Sequence, residues 1–300
     1  MNRLSRIWSL GRHHTSPVVN VVKLQGIISP SDGVRGPAAS RLLNLDRAEK
    51  WLTKAFDKRL SPVAVALCIN SPGGAPGQTE QLFRFIRSLA ERSPNIPVFS
   101  FIEDVAASGG YWLACAGDKI YGLETSLVGS IGVIAPSFGA VELIKKLGIE
   151  RRVHTAGEAK AMLDPFRPEQ PAEVERLEEL LQGLHSSFKG AILDRRRATL
   201  DQNSPDLFSG RAWTGQQGLQ LGLIDGIQDM HTFMREKFGP HTRFMLCSER
   251  RSTGLAALLG GRMLLGGGGI EAAAYASAAG FAKALADEAT ARTMLARYGL

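Results

Sequence analysis

One stretch decides how this chain folds and where its chemistry lies: Glu103-Asp-Val-Ala-Ala-Ser-Gly-Gly-Tyr-Trp-Leu-Ala-Cys-Ala-Gly117. The residues before it, Pro97-Val-Phe-Ser-Phe-Ile102, are apolar and β-branched or aromatic, which predicts a buried strand. The apolar residues 111–116 predict a short helix. Ser108 therefore lies where a strand gives way to a helix, and the two glycines after it let the backbone turn tightly. The aligned N–H groups of a helix start favour developing negative charge, so this serine suits an acyl-transfer nucleophile. A small-residue turn without chemistry explains the same pattern.

The same order of a strand, a glycine-containing turn and a helix also occurs earlier in the chain. Pro62-Val-Ala-Val-Ala-Leu-Cys-Ile69 is a continuous apolar run, typical of a strand covered on both faces, and Asn70-Ser-Pro-Gly-Gly74 ends it. A helix is predicted over 77–91. This alternation predicts an α/β fold with a mostly parallel sheet, in which ligands bind at the carboxyl ends of the strands. The two glycine turns should therefore meet in one site.

Periodicity also predicts the remaining elements. The predicted strands cover 17–29, 119–122, 127–134 and 150–155. The predicted helices cover 42–60, 140–147, 168–197, 209–222 and 230–238, with a further alanine-rich helix over 271–297.

A serine nucleophile needs a base. None of the six histidines stands in a motif that marks a triad base. Lys160 is the better candidate, because the residues around it in 156–163 are mostly small or apolar and predict a buried position that disfavours its charge. A solvated loop lysine is the alternative.

Four motifs together resemble the signal peptide peptidase A family of serine proteases, peptidase family S49. They lie at 104–112, at 129–132, at 156–160 with 164–166, and at 209–214, and the resemblance spans about 18–229. It implies that Ser108 is the nucleophile and Lys160 its base. It also implies that Ser130 holds the lysine amine in position.

The same resemblance implies an oxyanion site made of the backbone N–H groups of Gly73, Gly74 and Gly109, a role that suits unobstructed backbone. It further implies a fold shared with Clp protease and the crotonases, built of repeated ββα units. Family members form homo-oligomeric rings in which serine and lysine of neighbouring subunits can meet.

The chain departs from the family pattern at three points. Asn70 stands where the family commonly has aspartate, and Ala159 and Ala161 replace the residues that often flank the family lysine. The N-terminal membrane anchor of many members is also missing from this sequence. That difference favours a cytoplasmic peptidase over one that cleaves within the membrane.

The composition supports three segments: a basic tail over 1–16, a peptidase domain over 17–248, and a Gly/Ala-rich helical extension over 249–300. Three cysteines far apart predict reduced thiols. No apolar run is long enough to span a membrane, and no cleavable signal is recognisable, so we expect a cytoplasmic protein whose basic tail can touch the membrane surface. The net charge of +7 comes without a nucleic-acid-binding motif, so we expect no nucleic acid partner.

The sequence therefore predicts a serine endopeptidase that uses a Ser/Lys dyad, without cofactor or metal, to cleave signal-peptide remnants or other short or unfolded peptides with small or aliphatic side chains. Two alternatives remain open. One is a crotonase-like acyl-CoA enzyme, and the other is a non-catalytic assembly module of the same fold.

Overall fold

The computed structural model describes residues 16–30, 42–157 and 159–248. All but residue 16 of the predicted basic tail, and the whole predicted extension over 249–300 with its helix at 271–297, lie outside these residues.

Ten strands form in the described residues, most of them short. They are β1 (Val18–Gln25), β2 (Ile27–Ile28), β3 (Leu42–Leu43), β4 (Ala64–Ser71), β5 (Val98–Ala107), β6 (Lys119–Gly122), β7 (Leu127–Gly129), β8 (Ala212–Thr214), β9 (Gly226–Ile227) and β10 (Arg243–Leu246).

Seven α-helices lie in the same residues. They are α1 (Leu45–Ala55), α2 (Pro76–Glu91), α3 (Gly109–Ala114), α4 (Val141–Lys146), α5 (Pro171–Arg196), α6 (Gly215–Gln220) and α7 (Met230–Phe238). A helix that crosses a membrane needs about 20 mostly apolar residues. None of these seven meets that requirement of length and apolarity.

The main sheet has the strand order β10-β1-β4-β5-β6-β9, with β7 beside β5 and β8 beside β7. All pairs are parallel except β7 with β8. Apolar side chains fill both faces: Val22 and Leu24 of β1 join the core under the helices, whereas Val19 and Val21 join the smaller core that contains Met234 of α7. This arrangement confirms the predicted α/β fold with a mostly parallel sheet.

Strand β5 changes partner along its length, and this change positions Ser108. Its first half pairs with β6, and its last three residues pair with β7. Between these halves the register against β4 shifts, so that Ile69 faces Ile102 but Ser71 faces Ala106. The extra residues of β5 form a bulge, which bends a strand and redirects the side chains that follow it.

Three predictions of secondary structure need correction. The predicted strand over 150–155 is absent, and these residues are exposed coil. The helix predicted over 42–60 is divided into α1 and a short 3-10 turn, Lys58–Leu60, and its first residues form β3. Helix α1 begins after Asn44, which caps it and accepts a hydrogen bond from the Arg47 N–H at 3.1 Å. The helix predicted over 209–222 is limited to α6, because residues 212–214 form β8. Strands β3, β8, β9 and β10 are not predicted, since strands of two to four residues carry almost no periodic signal.

A buried ion pair ties the C-terminal end of α5 to the sheet. Arg196 Nη1 donates to Asp225 Oδ2 at 2.6 Å, and Arg196 Nη2 donates to the Gly222 carbonyl at 2.8 Å. Asp225 also accepts from the Ile120 N–H at 2.8 Å. Burial by itself would raise the pKa of Asp225, but the Ile120 N–H and the Arg196 charge outweigh burial and hold that pKa below its ordinary value.

Replacement of Asp225 by alanine should lower the free energy of unfolding by about 3–5 kcal/mol, because it leaves Arg196 buried without its anion. Arg196 is 6% exposed in its side chain and Asp225 8%. Urea denaturation of the purified protein measures the loss. The control is Glu80→Ala, which breaks the exposed Arg84–Glu80 pair and should cost at most about 0.5 kcal/mol. Equal losses of unfolding free energy in the two variants would contradict a stabilising role for the buried pair of Arg196 and Asp225.

Candidate active site

Ser108 lies at the junction of β5 and α3 with an unusual backbone. Its φ is 52° and its ψ is −125°. Positive φ in a residue other than glycine is strained, and such strain persists where surrounding structure enforces it, commonly at functional sites. Here the Ser108 N–H donates to the Gly129 carbonyl at 2.8 Å, and the Tyr111 hydroxyl anchors α3 by donating to the Leu223 carbonyl at 2.8 Å. The serine is thus held at a sharp turn with its side chain partly exposed.

The glycine turn after β4 packs directly on this junction, as predicted. A Cβ atom added to Gly73 would lie 2.7 Å from the Gly109 nitrogen and 2.9 Å from Ser108 Cβ. A Cβ added to Gly110 would lie 2.2 Å from the Ser71 carbonyl oxygen. The two turns therefore approach at backbone distance, which only residues without side chains permit.

Three candidate oxyanion amides lie in these turns, and they differ in their hydrogen bonds. The Gly73 N–H donates to Ser71 Oγ at 3.1 Å, so it is already engaged. In the neighbouring bridge, the Ile28 N–H donates to the Gly73 carbonyl and the Ala75 N–H donates to the Ile28 carbonyl, both at 2.8 Å. The Gly74 N–H lies between these two bonds in the chain and takes part in neither. Neither Gly74 nor Gly109 donates its N–H to any acceptor in the described part of the chain. These two amides can serve an anion beside Ser108.

The pairing of β5 with β7 brings Ser130 close to Ser108. Ala107 pairs with Gly129, so the residues that follow them lie side by side at the ends of neighbouring parallel strands. Ser130 also has a positive φ, 51°, and its N–H donates to the Arg211 carbonyl at 2.8 Å. The structure thus brings together Ser108, Ser130, Gly74 and Gly109.

A groove of about 960 Å³ runs over this cluster. Its walls are mainly apolar, with Ile27 and Ile28 on one side and the coil after β7 on another. Trp112 and Phe188 also line it; their rings stack with centroids 5.1 Å apart. The serine and two amide donors therefore lie together in a mainly apolar groove.

Lys160 does not line this groove. Its side chain is exposed, so the predicted burial among small residues is wrong for the single chain. The small side chains of its neighbours leave its amine uncovered. The turn that carries Lys160 is nevertheless well anchored: Asp164 bonds Arg151 Nε at 2.7 Å, and the Leu163 N–H donates to Glu173 at 3.0 Å. The Arg151 hydrogen bond holds the pKa of Asp164 below its ordinary value.

Asn70, the departure from the family aspartate, donates through Nδ2 to Asp104 Oδ2 at 2.6 Å. This bond lies at the bulge of β5. Within the described ranges, no cluster of three or more His, Cys, Asp or Glu side chains is arranged to hold a metal ion.

Several groove residues were not singled out from the sequence. Thr79 of α2 lies under the serine turn, because a Cβ on Gly109 would come 2.5 Å from its hydroxyl oxygen. Arg211 lies at the groove within the quoted motif 209–214, and that motif was the available signal. Trp112 is four residues after Ser108, about one turn of helix. This spacing indicates that the two side chains lie on the same side of α3, so the sequence could have placed Trp112 beside the serine.

Replacement of Gly73 by alanine should lower the free energy of unfolding by about 1–3 kcal/mol, because φ is +98° and the new methyl group meets the backbone of Gly109. Urea denaturation measures the change. The matched control is Gly77→Ala on α2, where an added Cβ meets nothing within 4 Å. That variant should be neutral or gain up to about 1 kcal/mol. A Gly73 variant as stable as the control would refute the close contact.

The profile of peptidase family S49 matches residues 90–237. The chain is 44% identical over 286 residues to a Brucella abortus protein named Na(+)/H(+) antiporter NhaA, covering 94% of this chain but 37% of that protein. It is 30% identical over 221 residues to the chloroplastic serine protease SPPA of Arabidopsis thaliana, covering 73% of this chain and 32% of that protein. The chain thus spans about a third of the length of these curated relatives.

Among solved structures, the chain is similar to a membrane-bound stomatin-specific protease in complex with a substrate peptide, with a TM-score of 0.46 and 12% identity over 82% of this chain and 98% of that one. The match over residues 90–237 includes the serine turn, the Ser130 motif and the lysine motif. This match assigns residues 90–237 to peptidase family S49.

Proposed function

We propose that this chain is a serine endopeptidase with Ser108 as nucleophile and Lys160 as general base. The observation that carries the proposal is the strained position of Ser108 in an apolar groove, beside two backbone amides without a partner in the described residues. The family match supports it, and so does the name of the chloroplastic relative.

In the proposed reaction, neutral Lys160 takes the proton of the Ser108 hydroxyl while its oxygen attacks the peptide carbonyl carbon. The negative charge that develops on the carbonyl oxygen is received by the N–H groups of Gly74 and Gly109. The C–N bond then breaks, and the leaving amine takes the proton from Lys160. Water, activated by the same lysine, hydrolyses the acyl-enzyme and restores Ser108. Ser130 holds the lysine amine beside the nucleophile.

A second copy of the chain should supply the lysine. Lys160 is exposed and lies outside the groove of its own chain, so the dyad has to be completed by another route. The segment between Ser130 and Lys160 carries large apolar side chains that are 44–75% exposed: Ile134, Phe138, Leu143, Leu147, Ile149 and Val153. Exposed apolar surface of this extent is typical of a subunit interface. We infer a homo-oligomeric ring in which each groove receives Lys160 from a neighbour.

The substrates proposed are signal-peptide remnants and other short or unfolded peptides. An extended chain fits the open groove, and folded proteins do not offer one. The stacked rings of Trp112 and Phe188 form a wall near Ser108, which supports a preference for small or aliphatic side chains. The site needs no cofactor or metal for this chemistry.

We also propose a cytoplasmic location. Cys68, Cys115 and Cys247 are buried and unpaired, which suits a reducing compartment. Contact of the basic N-terminal tail with the membrane surface remains part of the proposal.

A fluorophosphonate probe, which reacts with activated serines, should label the wild-type chain and fail to label Ser108→Ala. Lys160→Ala should also lose labelling, by at least about 100-fold in rate, because the serine loses its base. The matched control is Lys50→Ala, an exposed lysine of α1 outside the groove and outside the segment between Ser130 and Lys160, which should label normally. Circular dichroism verifies that each variant is folded.

Labelling that persisted in Lys160→Ala would refute lysine as the base. Binding of immobilised coenzyme A without labelling would support the crotonase-like alternative instead. A chain that neither reacts with the probe nor binds coenzyme A would support the alternative of a non-catalytic assembly module.

Mixed chains test whether the dyad is shared between subunits. Ser108→Ala and Lys160→Ala chains, each inactive alone, should recover partial labelling when they are unfolded together and refolded as a mixture. The recovered site pairs Ser108 of one chain with Lys160 of its neighbour. Sedimentation velocity checks that the mixture assembles. An assembled mixture without labelling would show that both residues must come from one chain.

A further inference from the structure

Among the described residues that line the groove, one carries a charge, Arg211. The other lining residues are apolar, hydroxyl-bearing or glycine. Neither the family match nor the proposed dyad assigns a role to this side chain.

The strand register places Arg211 at a defined distance from the nucleophile. Ala107 of β5 pairs with Gly129 of β7, and Gly129 pairs with Ala212 of β8. Because β8 runs antiparallel to β7, the residue before Ala212 lies at the same edge as Ser108. Neighbouring strands are about 4.8 Å apart, so Arg211 stands about 10 Å from Ser108 along this edge, which equals about three residues of an extended peptide.

Two contacts orient the guanidinium. It stacks over the ring of Trp213 at 4.3 Å from the centroid, and the ring itself is almost buried. Arg211 Nη1 also bonds Asp206 Oδ2 at 3.1 Å. A guanidinium has five N–H donors, so this single bond leaves donors for a second carboxylate. The Arg211 side chain is 56% exposed, which keeps those donors accessible.

We propose that Arg211 is a specificity-determining residue that binds a carboxylate of the substrate two or three residues from the scissile bond. The carboxylate is either an acidic side chain or the C-terminus of a short peptide. This inference rests on the proposed peptidase function and adds to it an anionic subsite within an otherwise apolar groove. Arginine suits this role because its planar fork matches both oxygens of a carboxylate.

The test uses the full chain and synthetic peptides whose cleavage points have been mapped by mass spectrometry. Glutamate is moved through the positions on either side of the bond and compared with glutamine at each position. For the wild type, the kcat/KM ratio of glutamate to glutamine peptide should reach about 10 at one position two or three residues away, as expected for a charge-assisted hydrogen bond. The difference should lie mainly in KM.

Arg211→Gln should reduce that ratio to about 1, and Arg211→Lys should give an intermediate ratio. Arg211→Glu should reverse the preference, so that a lysine peptide is cleaved faster than its glutamine counterpart; a change of sign is not expected from a misfolded variant. The matched control is Arg59→Gln, which removes an exposed arginine that is also paired with an aspartate but lies outside the groove. Its ratio should equal that of the wild type.

Two sources of the carboxylate are separated by amidation. If an acidic side chain is the ligand, the preference for glutamate over glutamine should persist in amidated peptides. If the terminal carboxylate is the ligand, peptides that end two or three residues after the scissile bond should be cleaved about 10-fold faster with a free C-terminus than with an amidated one. A wild-type enzyme that is labelled at Ser108 but shows neither a preference for glutamate over glutamine nor a preference for a free over an amidated C-terminus would overturn this inference and leave the peptidase function standing. Absence of Ser108-dependent labelling would overturn both.

Discussion

The rest of the site depends on the contact between two glycine turns. Gly73 passes so close to the Ser108–Gly109 peptide that an added methyl group would overlap it. This contact joins the end of β4 to the end of β5, and it brings the amides of Gly74 and Gly109 to the serine. A side chain at either turn would push the two strand ends apart. The absence of two Cβ atoms is therefore a geometric requirement of the site.

The sheet determines what stands beside that contact. Because β5 bulges and then changes partner from β6 to β7, its last residues are turned toward Ser130. The antiparallel strand β8 then carries Arg211 to the same edge. The site is thus a row of side chains on three adjacent strands. Each is separated from the next by one strand spacing, and the groove runs across them.

Helix α5 connects this rigid centre with the exposed part of the chain. Its C-terminal end is held by the buried pair of Arg196 and Asp225, and Phe188 packs against Trp112 beside the serine helix. Toward its N-terminus, Leu180 and Leu184 are exposed, as are the large apolar residues between Ser130 and Lys160. One half of the helix therefore belongs to the core, whereas the other half presents exposed apolar side chains.

The sequence by itself determined the parallel α/β fold, the strand-to-helix position of Ser108 and the meeting of the two glycine turns, because all three follow from local apolar runs and from glycine, which act over a few residues. The prediction that Lys160 is buried was wrong for the single chain. Small apolar neighbours in the sequence bury a side chain only where another part of the fold packs over them. The bulge in β5, the row formed by Ser108, Ser130 and Arg211, and the exposure of the lysine were decided by tertiary structure. Register and coverage depend on residues far apart in the chain, and no local pattern records them.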